Sequence, residues 1–255
     1  MIGLSPMKLA LLSDLHANLQ ALTACLADAH ARGATHHAFL GDLVGYGADP
    51  GPVVDIVMRM VNQGAWALKG NHDAAAVNPD PTNRRADHVG GVWSHSQLSR
   101  PQRDFLADLP LVVRHDKLLL VHASAVDPAR WSYITRPSEA AESMTAAQAQ
   151  QATHVFCGHV HEQRLFYTGA TGRTMAFEPT AGVALPVPAH RQWLATIGSV
   201  GQPRDGRPEA GYAILDVTTL QLTFVRVPYD HRAAAAAILK AGLPSFNAMR
   251  LAIGQ

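Results

Sequence analysis

The feature that most constrains this chain is a series of short apolar segments, each of which runs directly into polar side chains. Lys8 to Ser13 predicts a buried strand, and the leucines of Asn18 to Ala31 follow at helical spacing. Ala38 to Leu40 and Ala65 to Lys69 predict two more strands, with a helix opened by Pro52 between them. Strands that alternate with helices indicate an α/β fold with a mainly parallel sheet covered on both faces.

The rest of the chain continues as one unit, so residues 1–255 are expected to form a single domain. Residues 1–6 precede the first strand as a loose extension, and residues 83–109 predict helices that form a cap beside the sheet or a dimer surface. The second half contains several short β-branched segments, the last two of which predict a hairpin around Thr218 and Thr219. Residues 231–255 predict a C-terminal helical tail.

Charge and cysteine content exclude several classes of protein. Lys+Arg 21 against Asp+Glu 20 gives a net charge of +1, which provides no extended basic surface for nucleic acid. Since no apolar run reaches the ~18 residues of a membrane span, no membrane association is expected. Cys25 and Cys157 do not form a disulfide framework, and the apolar start lacks the features of a signal peptide, which favours a cytoplasmic location.

Polar residues with metal-binding chemistry stand at the ends of the predicted strands. Ligands of open α/β sheets bind in the crevice beyond the carboxyl ends of the strands, so segments far apart in sequence are expected to meet at one rim. In two places alternate residues of an extended chain would project to the same side and reach one point. The candidate ligands are Asp14, His16, Asp42, Asn71, His122, His159 and His161.

This set of candidate ligands indicates a metal centre with more than one ion. It is too large for a closed tetrahedral zinc site, and its mixture of imidazole and oxygen ligands without thiolate suits Mn, Fe, Co or Zn. Two ions ~3.5–4 Å apart that share one carboxylate would use all of the ligands. Such a pair activates a water molecule for attack on phosphorus, and no serine or cysteine nucleophile is then needed.

In this order the motifs resemble those of the calcineurin-like metallophosphoesterase family. The resemblance rests on Asp14-x-His16, Gly41-Asp42, Gly70-Asn71-His72-Asp73, Val121-His122 and Gly158-His159-x-His161, and it extends from about Lys8 to Phe224. It implies a single-domain, four-layer α-β-β-α sandwich that binds two divalent metal ions.

The resemblance also implies a role for each motif residue. Asp14, His16 and His161 would bind the first ion; Asn71, His122 and His159 would bind the second, with Asp42 bridging. A metal-bridging hydroxide would attack phosphorus, and His72 would be the general acid that protonates the leaving oxygen.

Two further segments point to the small bacterial phosphodiesterase branch of the family. They are residues 41–50 with Gly45-Tyr46-Gly47, and the loop from Gly198 to Arg204, in which Arg204 is a candidate for binding substrate phosphate. Family members that act on phosphoproteins have Asp-Arg where this chain has Gly45-Tyr46, which argues against a phosphoprotein substrate. The sequence thus predicts a metal-dependent hydrolase of small phosphodiesters or phosphomonoesters.

Three other functions are compatible with parts of the pattern. A dinucleoside polyphosphate hydrolase would need surfaces for base stacking, for which Trp93, Trp131 and Tyr46 are candidates. A non-catalytic scaffold on the same fold is disfavoured because His72 and all the matched ligands are present. A mononuclear non-haem iron oxygenase needs only two histidines and one carboxylate, and it leaves the other candidate ligands unexplained. The sequence does not fix an oligomeric state.

Overall fold

A computed structural model of the protein describes residues 7–82 and 86–255. The expected N-terminal extension over residues 1–6 and the start of the expected cap at residues 83–85 lie outside the described residues. The strands are β1 (Lys8–Leu12), β2 (His36–Phe39), β3 (Trp66–Ala67), β4 (Val112–His115), β5 (Leu118–Val121), β6 (His154–Cys157), β7 (Gln163–Thr168), β8 (Thr174–Phe177), β9 (Ala184–Pro186), β10 (Trp193–Ile197), β11 (Ala210–Asp216) and β12 (Gln221–Val227).

Helices follow most of the strands of the first half, and two more end the chain. None of the helices among the described residues is both long and apolar enough to cross a bilayer. The helices are α1 (Leu19–Ala31), α2 (Pro50–Asn62), α3 (Asn71–Val77), α4 (Ala86–Gln97), α5 (Arg100–Asp108), α6 (Pro137–Ala149), α7 (His231–Lys240) and α8 (Ser245–Ile253).

The strands form two six-stranded sheets that pack face to face. The strand order is β3-β2-β1-β11-β12-β9 in the first sheet and β4-β5-β6-β10-β7-β8 in the second. One apolar core lies between the sheets and includes Leu11, Phe156 and Phe224. A second core joins the first sheet to α1, α2 and α5, and a third joins the second sheet to α6. These cores separate four layers, which confirms the α-β-β-α sandwich.

The prediction of one mainly parallel sheet is wrong. Parallel pairing is confined to β1-β2-β3 and to β5-β6-β10, and the remaining neighbours are antiparallel. The βαβ pattern of the first half describes only part of the first sheet, which β11, β12 and β9 then extend from the other end of the chain. The predicted hairpin around Thr218 and Thr219 is confirmed as β11-β12, with Asp216 opposite Gln221.

The sequence patterns missed two short elements. Gly70-Asn71-His72-Asp73 suggests a loop, whereas Asn71 already begins α3, whose first turn is capped by the Asp73 carboxylate on the Gly70 amide. β9 has three residues at a sheet edge, a length at which no periodicity can be recognised. The strands predicted at Lys8 to Ser13, Ala38 to Leu40 and Ala65 to Lys69 lie within a few residues of β1, β2 and β3.

The helices of the expected cap and tail occupy different sides of the first layer. α4 and α5 pack against α3, and Gly90 of α4 approaches the backbone of Gly45 and Tyr46. α7 and α8 pack against each other, and α7 also contacts α1. Whether α4 and α5 act as a cap or as a dimer surface stays a prediction.

Candidate metal centre

The candidate ligands meet at one rim, which crosses both sheets. Asp14 and Asp42 follow the parallel strands β1 and β2, and His122 and His159 follow the parallel strands β5 and β6. The amide of His159 donates to both oxygens of the Asp14 carboxylate at 3.2 and 2.9 Å, and so joins the two sheets at this point. The rim is therefore built by the carboxyl ends of strands, as the position of the motifs predicts.

Five of the candidate ligands have left-handed backbone conformations. The φ angles are 53° at Asp14, 47° at His16, 52° at Asp42, 67° at His159 and 62° at His161. Residues other than glycine rarely adopt positive φ, and such residues concentrate at functional sites where the surrounding structure holds them. The predicted extended chain is therefore wrong, because the backbone turns at each of these residues. Asp14 and His16 do reach one point, as predicted, whereas His159 and His161 join different groups.

The first group consists of Asp14, His16 and His161, all of them buried. Nε2 of His161 lies 3.2 Å from Oδ1 of Asp14, and Nε2 of His16 lies 3.8 Å from the same oxygen. The two imidazoles face each other, with their Nε2 atoms 3.1 Å apart. Two nitrogens and one carboxylate oxygen thus converge on one point.

The second group consists of Asp42, His122 and His159, with Asn71 beside them. Nε2 of His122 lies 3.3 Å from Oδ2 of Asp42 and 3.2 Å from Oδ1 of Asn71. The same Oδ2 of Asp42 lies 3.9 Å from Nε2 of His16, so Asp42 stands between the two groups. Nε2 of His159 is buried and, among the described residues, has no hydrogen-bond partner.

Backbone carbonyls fix the protonation of three of these histidines. Nδ1 lies 3.2 Å from the Val44 carbonyl in His16, 2.7 Å from the Leu40 carbonyl in His122 and 2.6 Å from the Gln202 carbonyl in His161. A carbonyl can only accept, so each Nδ1 carries a proton, and each ring in its neutral form would present its Nε2 lone pair to the centre.

Lone pairs that face each other, or face carboxylate and amide oxygens, require a positive charge between them. Histidines that bind metals almost always donate their second ring nitrogen to a carbonyl or carboxylate, as these three do. The donor set therefore fits divalent cations.

The electrostatics of the centre also favour a cation. Burial by itself would raise the pKa of Asp14 and Asp42, yet the neighbouring histidines lower both values overall. Against the opposing effect of burial, Asp42 raises the pKa of His122 to about 10. Burial, then the charge of His122, lowers the pKa of His159 to about 4. Asp14 and Asp42 therefore remain ionised although they are buried. Their negative charge favours a positive charge at the centre, either on the histidines or on a metal ion.

His72 lies beside both groups. Its amide donates to Oδ1 of Asp42 at 2.8 Å, and its ring lies 4.9 Å from that of His16 and 4.4 Å from that of Tyr46, between centroids. A side chain at Gly45 would overlap the His72 ring, so the glycine is needed for the loop to pass this close. Gly45 and Tyr46 thus form part of the wall around His72.

A carboxylate that the motif analysis left without a role holds these loops together. Oδ1 of buried Asp73 accepts from the amides of Leu43 and Val44 at 2.9 and 3.2 Å, and Oδ2 accepts from Gly70 at 2.9 Å. Burial, then the charge of Asp42, raises the pKa of Asp73 to about 7. Asp73 therefore connects the loop that carries Asp42 to the start of α3, which carries Asn71 and His72.

The loop after β10 supports the first group from behind. Its Ser199 hydroxyl donates to the Asp14 carbonyl at 2.8 Å, and the amide of Gly201 donates to the same carbonyl at 2.8 Å. Gln202 supplies the carbonyl that orients His161. The sequence singled out this loop by its resemblance to a branch of the family and by Arg204, but it could not indicate the role of Gln202, because a backbone carbonyl has no signature in the sequence.

The centre forms the floor of an open cavity of about 630 Å³. Arg204 lies on one side, with its guanidinium 5.6 Å from the centre of the Tyr46 ring. On the other side Tyr133 stacks on His159 at 4.1 Å between ring centroids, and Trp131 lies edge-on to His122 at 5.7 Å. Tyr133 was missed because it stands in an irregular loop. Trp93, the other tryptophan considered for base stacking, does not line this cavity.

Comparison with known proteins agrees with this arrangement. The model of the calcineurin-like phosphoesterase superfamily domain matches residues 7–220. A crystal structure of a metallophosphoesterase from Sphaerobacter thermophilus is similar, with 32% identity, a TM-score of 0.87, and 98% of this chain and 100% of that chain covered. An uncharacterised protein of Methanocaldococcus jannaschii is 30% identical over 97% of this chain and 98% of its own length.

A more distant structure shares the fold. The crystal structure of a hypothetical protein from Pyrococcus horikoshii has 19% identity and a TM-score of 0.77, with 98% of this chain and 99% of that chain covered. The family model covers most of the chain, and the two relatives with identities of 30% and 32% cover nearly all of it. With its two-sheet fold and its histidine and aspartate clusters, this chain belongs to the calcineurin-like phosphoesterase superfamily, a family of phosphoric ester hydrolases that typically bind divalent metal ions.

Proposed function

We propose that this protein is a binuclear-metal-dependent phosphoesterase that hydrolyses small phosphodiesters or phosphomonoesters. The observation that carries the proposal is the pair of Nε2 atoms of His16 and His161, 3.1 Å apart, whose rings are both oriented by backbone carbonyls. Such a pair supplies ligands for a cation and has no function in an ordinary packed core.

Each group of side chains would hold one ion. Asp14, His16 and His161 would hold the first, while Asn71, His122 and His159 would hold the second. Asp42 would bridge them, which its position between His16 and His122 supports. The ligand chemistry suits Mn, Fe, Co or Zn. When bound, the two ions would activate water and neutralise charge on the phosphoryl oxygens.

The chain's own residues would position the ester and supply a proton. His72 lines the cavity, and its amide is fixed to Asp42, so its ring would lie beside a phosphoryl group on the centre. In the protonated form it would donate to the leaving oxygen as general acid. Arg204, at the side of the cavity, would bind a phosphate oxygen through its planar guanidinium.

The dimensions of the cavity favour a small substrate. Its volume of about 630 Å³ is within the range of ligand pockets, and the net charge of +1 offers no extended surface for a polyanion. The two cysteines are buried and unpaired, which supports the expectation of a reducing, cytoplasmic environment.

The test is hydrolysis of bis-p-nitrophenyl phosphate and p-nitrophenyl phosphate by protein loaded separately with Mn²⁺, Fe²⁺, Co²⁺ or Zn²⁺. We expect turnover with at least one metal, loss of turnover on chelation, and a metal content near two ions per chain. Asp42→Asn should abolish turnover, while Asp108→Asn, at an exposed site, should not. Metal-loaded protein that hydrolyses no ester would contradict the proposal and favour a non-catalytic scaffold. A content near one ion per chain would contradict the binuclear centre.

A dinucleoside polyphosphate hydrolase is the second candidate. It is favoured by Trp131 and Tyr133, which place two aromatic rings at the cavity beside the second group. Aromatic side chains of this kind stack on nucleobases and contribute about 1–3 kcal/mol per base. Diadenosine tetraphosphate and bis-p-nitrophenyl phosphate should then respond differently to Trp131→Ala and Tyr133→Ala, with a larger loss of kcat/KM for the dinucleotide. Equal losses would argue against this candidate.

A further inference from the structure

The ring of Tyr46 lies against two histidines of the candidate metal centre. Its centroid is 4.4 Å from that of His72 and 4.6 Å from that of His16, and the planes of the Tyr46 and His72 rings are inclined at 59° to each other. Tyr46 and His72 also line the same open cavity. The Tyr46 ring is therefore placed to restrict the orientations that the His72 ring can adopt.

The backbone at Tyr46 is held in an uncommon conformation. Its φ angle is 57°, in the left-handed region, which residues other than glycine rarely adopt. The Tyr46 carbonyl accepts from the side-chain amide of Asn247 in α8 at 3.2 Å, and the amide of Gly47 donates to the His16 carbonyl at 3.0 Å. Non-glycine residues in this conformation concentrate at functional sites, where the surrounding structure holds them. The fold thus fixes the backbone from which the Tyr46 ring projects.

Further groups enclose the two rings. The backbone at Gly45 passes so close to the His72 ring that a Cβ there would overlap it, and the Arg204 guanidinium lies over the Tyr46 ring, 5.6 Å from its centroid. The hydrogen bond from the His72 amide to Oδ1 of Asp42 places the backbone of His72. The direction of the His72 ring depends instead on the groups that pack around the ring, and Tyr46 is the aromatic one among them that has no ligand role.

We propose that Tyr46 is a positioning residue, whose ring holds the His72 ring in the orientation that protonates the leaving oxygen. The inference rests on the proposed phosphoesterase function, in which His72 is the general acid. In that step an oxygen of water bonds to phosphorus, the bond from phosphorus to the leaving oxygen breaks, and the electron pair of that bond takes up the His72 proton. The proton that the water loses restores His72 through the solvent.

The position of a general acid has a large effect on the rate. The acid must lie within about 2.6–3.2 Å of the oxygen that it protonates. A misplacement of about 1 Å can lower the rate about a hundredfold. Loss of the ring that restricts His72 should therefore slow the proton transfer, although Tyr46 itself donates no proton to the substrate.

The experiment compares leaving groups that differ in their need for a proton. Nitrophenolate leaves without protonation more readily than phenolate does, so loss of the general acid slows a phenyl ester more than a nitrophenyl ester. The pairs are bis-p-nitrophenyl phosphate with diphenyl phosphate, and p-nitrophenyl phosphate with phenyl phosphate, in single-turnover hydrolysis by metal-loaded protein. In any pair that the protein hydrolyses, Tyr46→Ala should raise the ratio of the nitrophenyl rate to the phenyl rate by about tenfold or more, while metal content stays near that of the wild type.

Further variants assign the effect to the ring of Tyr46. Tyr46→Phe removes only the hydroxyl and should retain the wild-type ratio. Tyr46→Leu keeps an apolar side chain and should raise the ratio as Tyr46→Ala does if the alanine variant folds poorly. Tyr46→Ala combined with His72→Asn should be no slower than His72→Asn alone, because Tyr46 acts through His72. Tyr167→Ala removes a half-buried tyrosine of β7 that does not line this cavity, and it should keep the wild-type ratio.

A second measurement does not depend on turnover. Relaxation of ¹³C-labelled histidine rings in Zn²⁺-loaded protein gives the order parameter of the His72 ring, whose signal is assigned by its loss in His72→Asn. The order parameter should fall in Tyr46→Ala and stay at the wild-type value in Tyr46→Phe, because the ring that restricts His72 is lost only in the first variant.

The outcomes separate this inference from the proposed function. Hydrolysis with a ratio that Tyr46→Ala leaves unchanged, or that Tyr46→Phe raises equally, would overturn the positioning role and leave the phosphoesterase standing. Equal slowing of both esters with loss of metal would also overturn it, because Tyr46 would then support His16 instead. If the protein hydrolyses no ester, the enzyme is overturned, and the order parameter alone decides whether Tyr46 holds the His72 ring.

Discussion

Nε2 of His16 and Nε2 of His161 lie 3.1 Å apart although the two residues are 145 positions apart in the sequence. Each ring already uses its Nδ1 on a backbone carbonyl, that of Val44 for His16 and that of Gln202 for His161. Two lone pairs at this distance repel each other unless a proton or a metal ion lies between them. The carboxylate of Asp14 faces the same point, so the arrangement favours a divalent ion over a proton.

Removing one member of this pair should therefore weaken metal binding more than it weakens the fold. We expect His161→Ala to lose more metal affinity than the roughly 10–100-fold that is typical when only an outer hydrogen-bond partner is removed. The measurement is metal content by mass spectrometry after dialysis, together with calorimetric titration of Mn²⁺ or Zn²⁺. His190→Ala, at an exposed histidine, is the matched control and should retain the wild-type content. Equal metal content in the two variants would contradict the first ligand group.

The contacts of Asp73 lead to a prediction about the stability of the protein rather than about metal binding. Its carboxylate accepts from the amides of Leu43, Val44 and Gly70, so Asp73→Asn turns one acceptor into a donor that faces a backbone N–H. The loss of a buried partner should lower the free energy of unfolding by about 1–3 kcal/mol. Urea unfolding in the presence of a chelator measures this effect without a contribution from metal binding.

The exposed Asp108→Asn serves as its control and should leave the unfolding midpoint unchanged. A midpoint for Asp73→Asn equal to that of Asp108→Asn would mean that the loops do not depend on the carboxylate. A normal unfolding midpoint combined with a lower metal affinity would instead confine the role of Asp73 to the placement of Asp42 and Asn71.

The sequence predicted the positions of the ligands better than the way in which they converge. A strand end followed by Asp14 or His122 is visible as an apolar run that meets a polar residue, and parallel strands bring such ends to one rim. The left-handed turns at His159 and His161 are not visible, because in the sequence these residues resemble an extended segment. They nevertheless decide that His161 faces Asp14 while His159 faces His122.

The sequence also could not predict which strands that are far apart in the chain pair with each other. β11 lies antiparallel to β1 in the middle of the first sheet, although the two strands are separated by most of the chain. Periodicity reports which residues are buried but does not report which strand lies next to which. The groups that orient the histidines are backbone carbonyls, and any residue type could have supplied them.

Kinetic measurements should distinguish the role of His72 from that of the candidate metal ligands. Acid–base catalysis contributes about 10²–10⁴-fold, so we expect His72→Asn to lower kcat by that range while metal content stays near that of the wild type. Single-turnover hydrolysis of bis-p-nitrophenyl phosphate and metal analysis of the same sample test both halves of the expectation. His36→Asn, at an exposed position, provides the control. A parallel loss of metal and activity would make His72 a ligand rather than an acid.

A buried histidine remote from the centre should make the fold sensitive to acid. His154 in β6 accepts from the Thr153 hydroxyl at Nδ1, 2.9 Å away, and donates from Nε2 to the Val187 carbonyl, 2.7 Å away. Burial lowers its pKa, against the smaller effect of the bond to Val187. The unfolded chain then binds this proton more readily than the folded protein, so the stability due to neutral His154 is complete above about pH 6.5 and is lost as pH falls below that value.

His154→Gln cannot titrate and retains an amide that can donate to the Val187 carbonyl. Between pH 7.5 and pH 5.5, the free energy of unfolding should therefore fall more in the wild type than in His154→Gln. Urea unfolding with a chelator at each pH measures the two slopes, and the histidines of the metal centre cancel in the comparison because both proteins carry them. His190→Gln should follow the wild-type slope. Parallel slopes for all three proteins would mean that His154 contributes no acid sensitivity, because its proton affinity would then be the same in the folded and the unfolded chain.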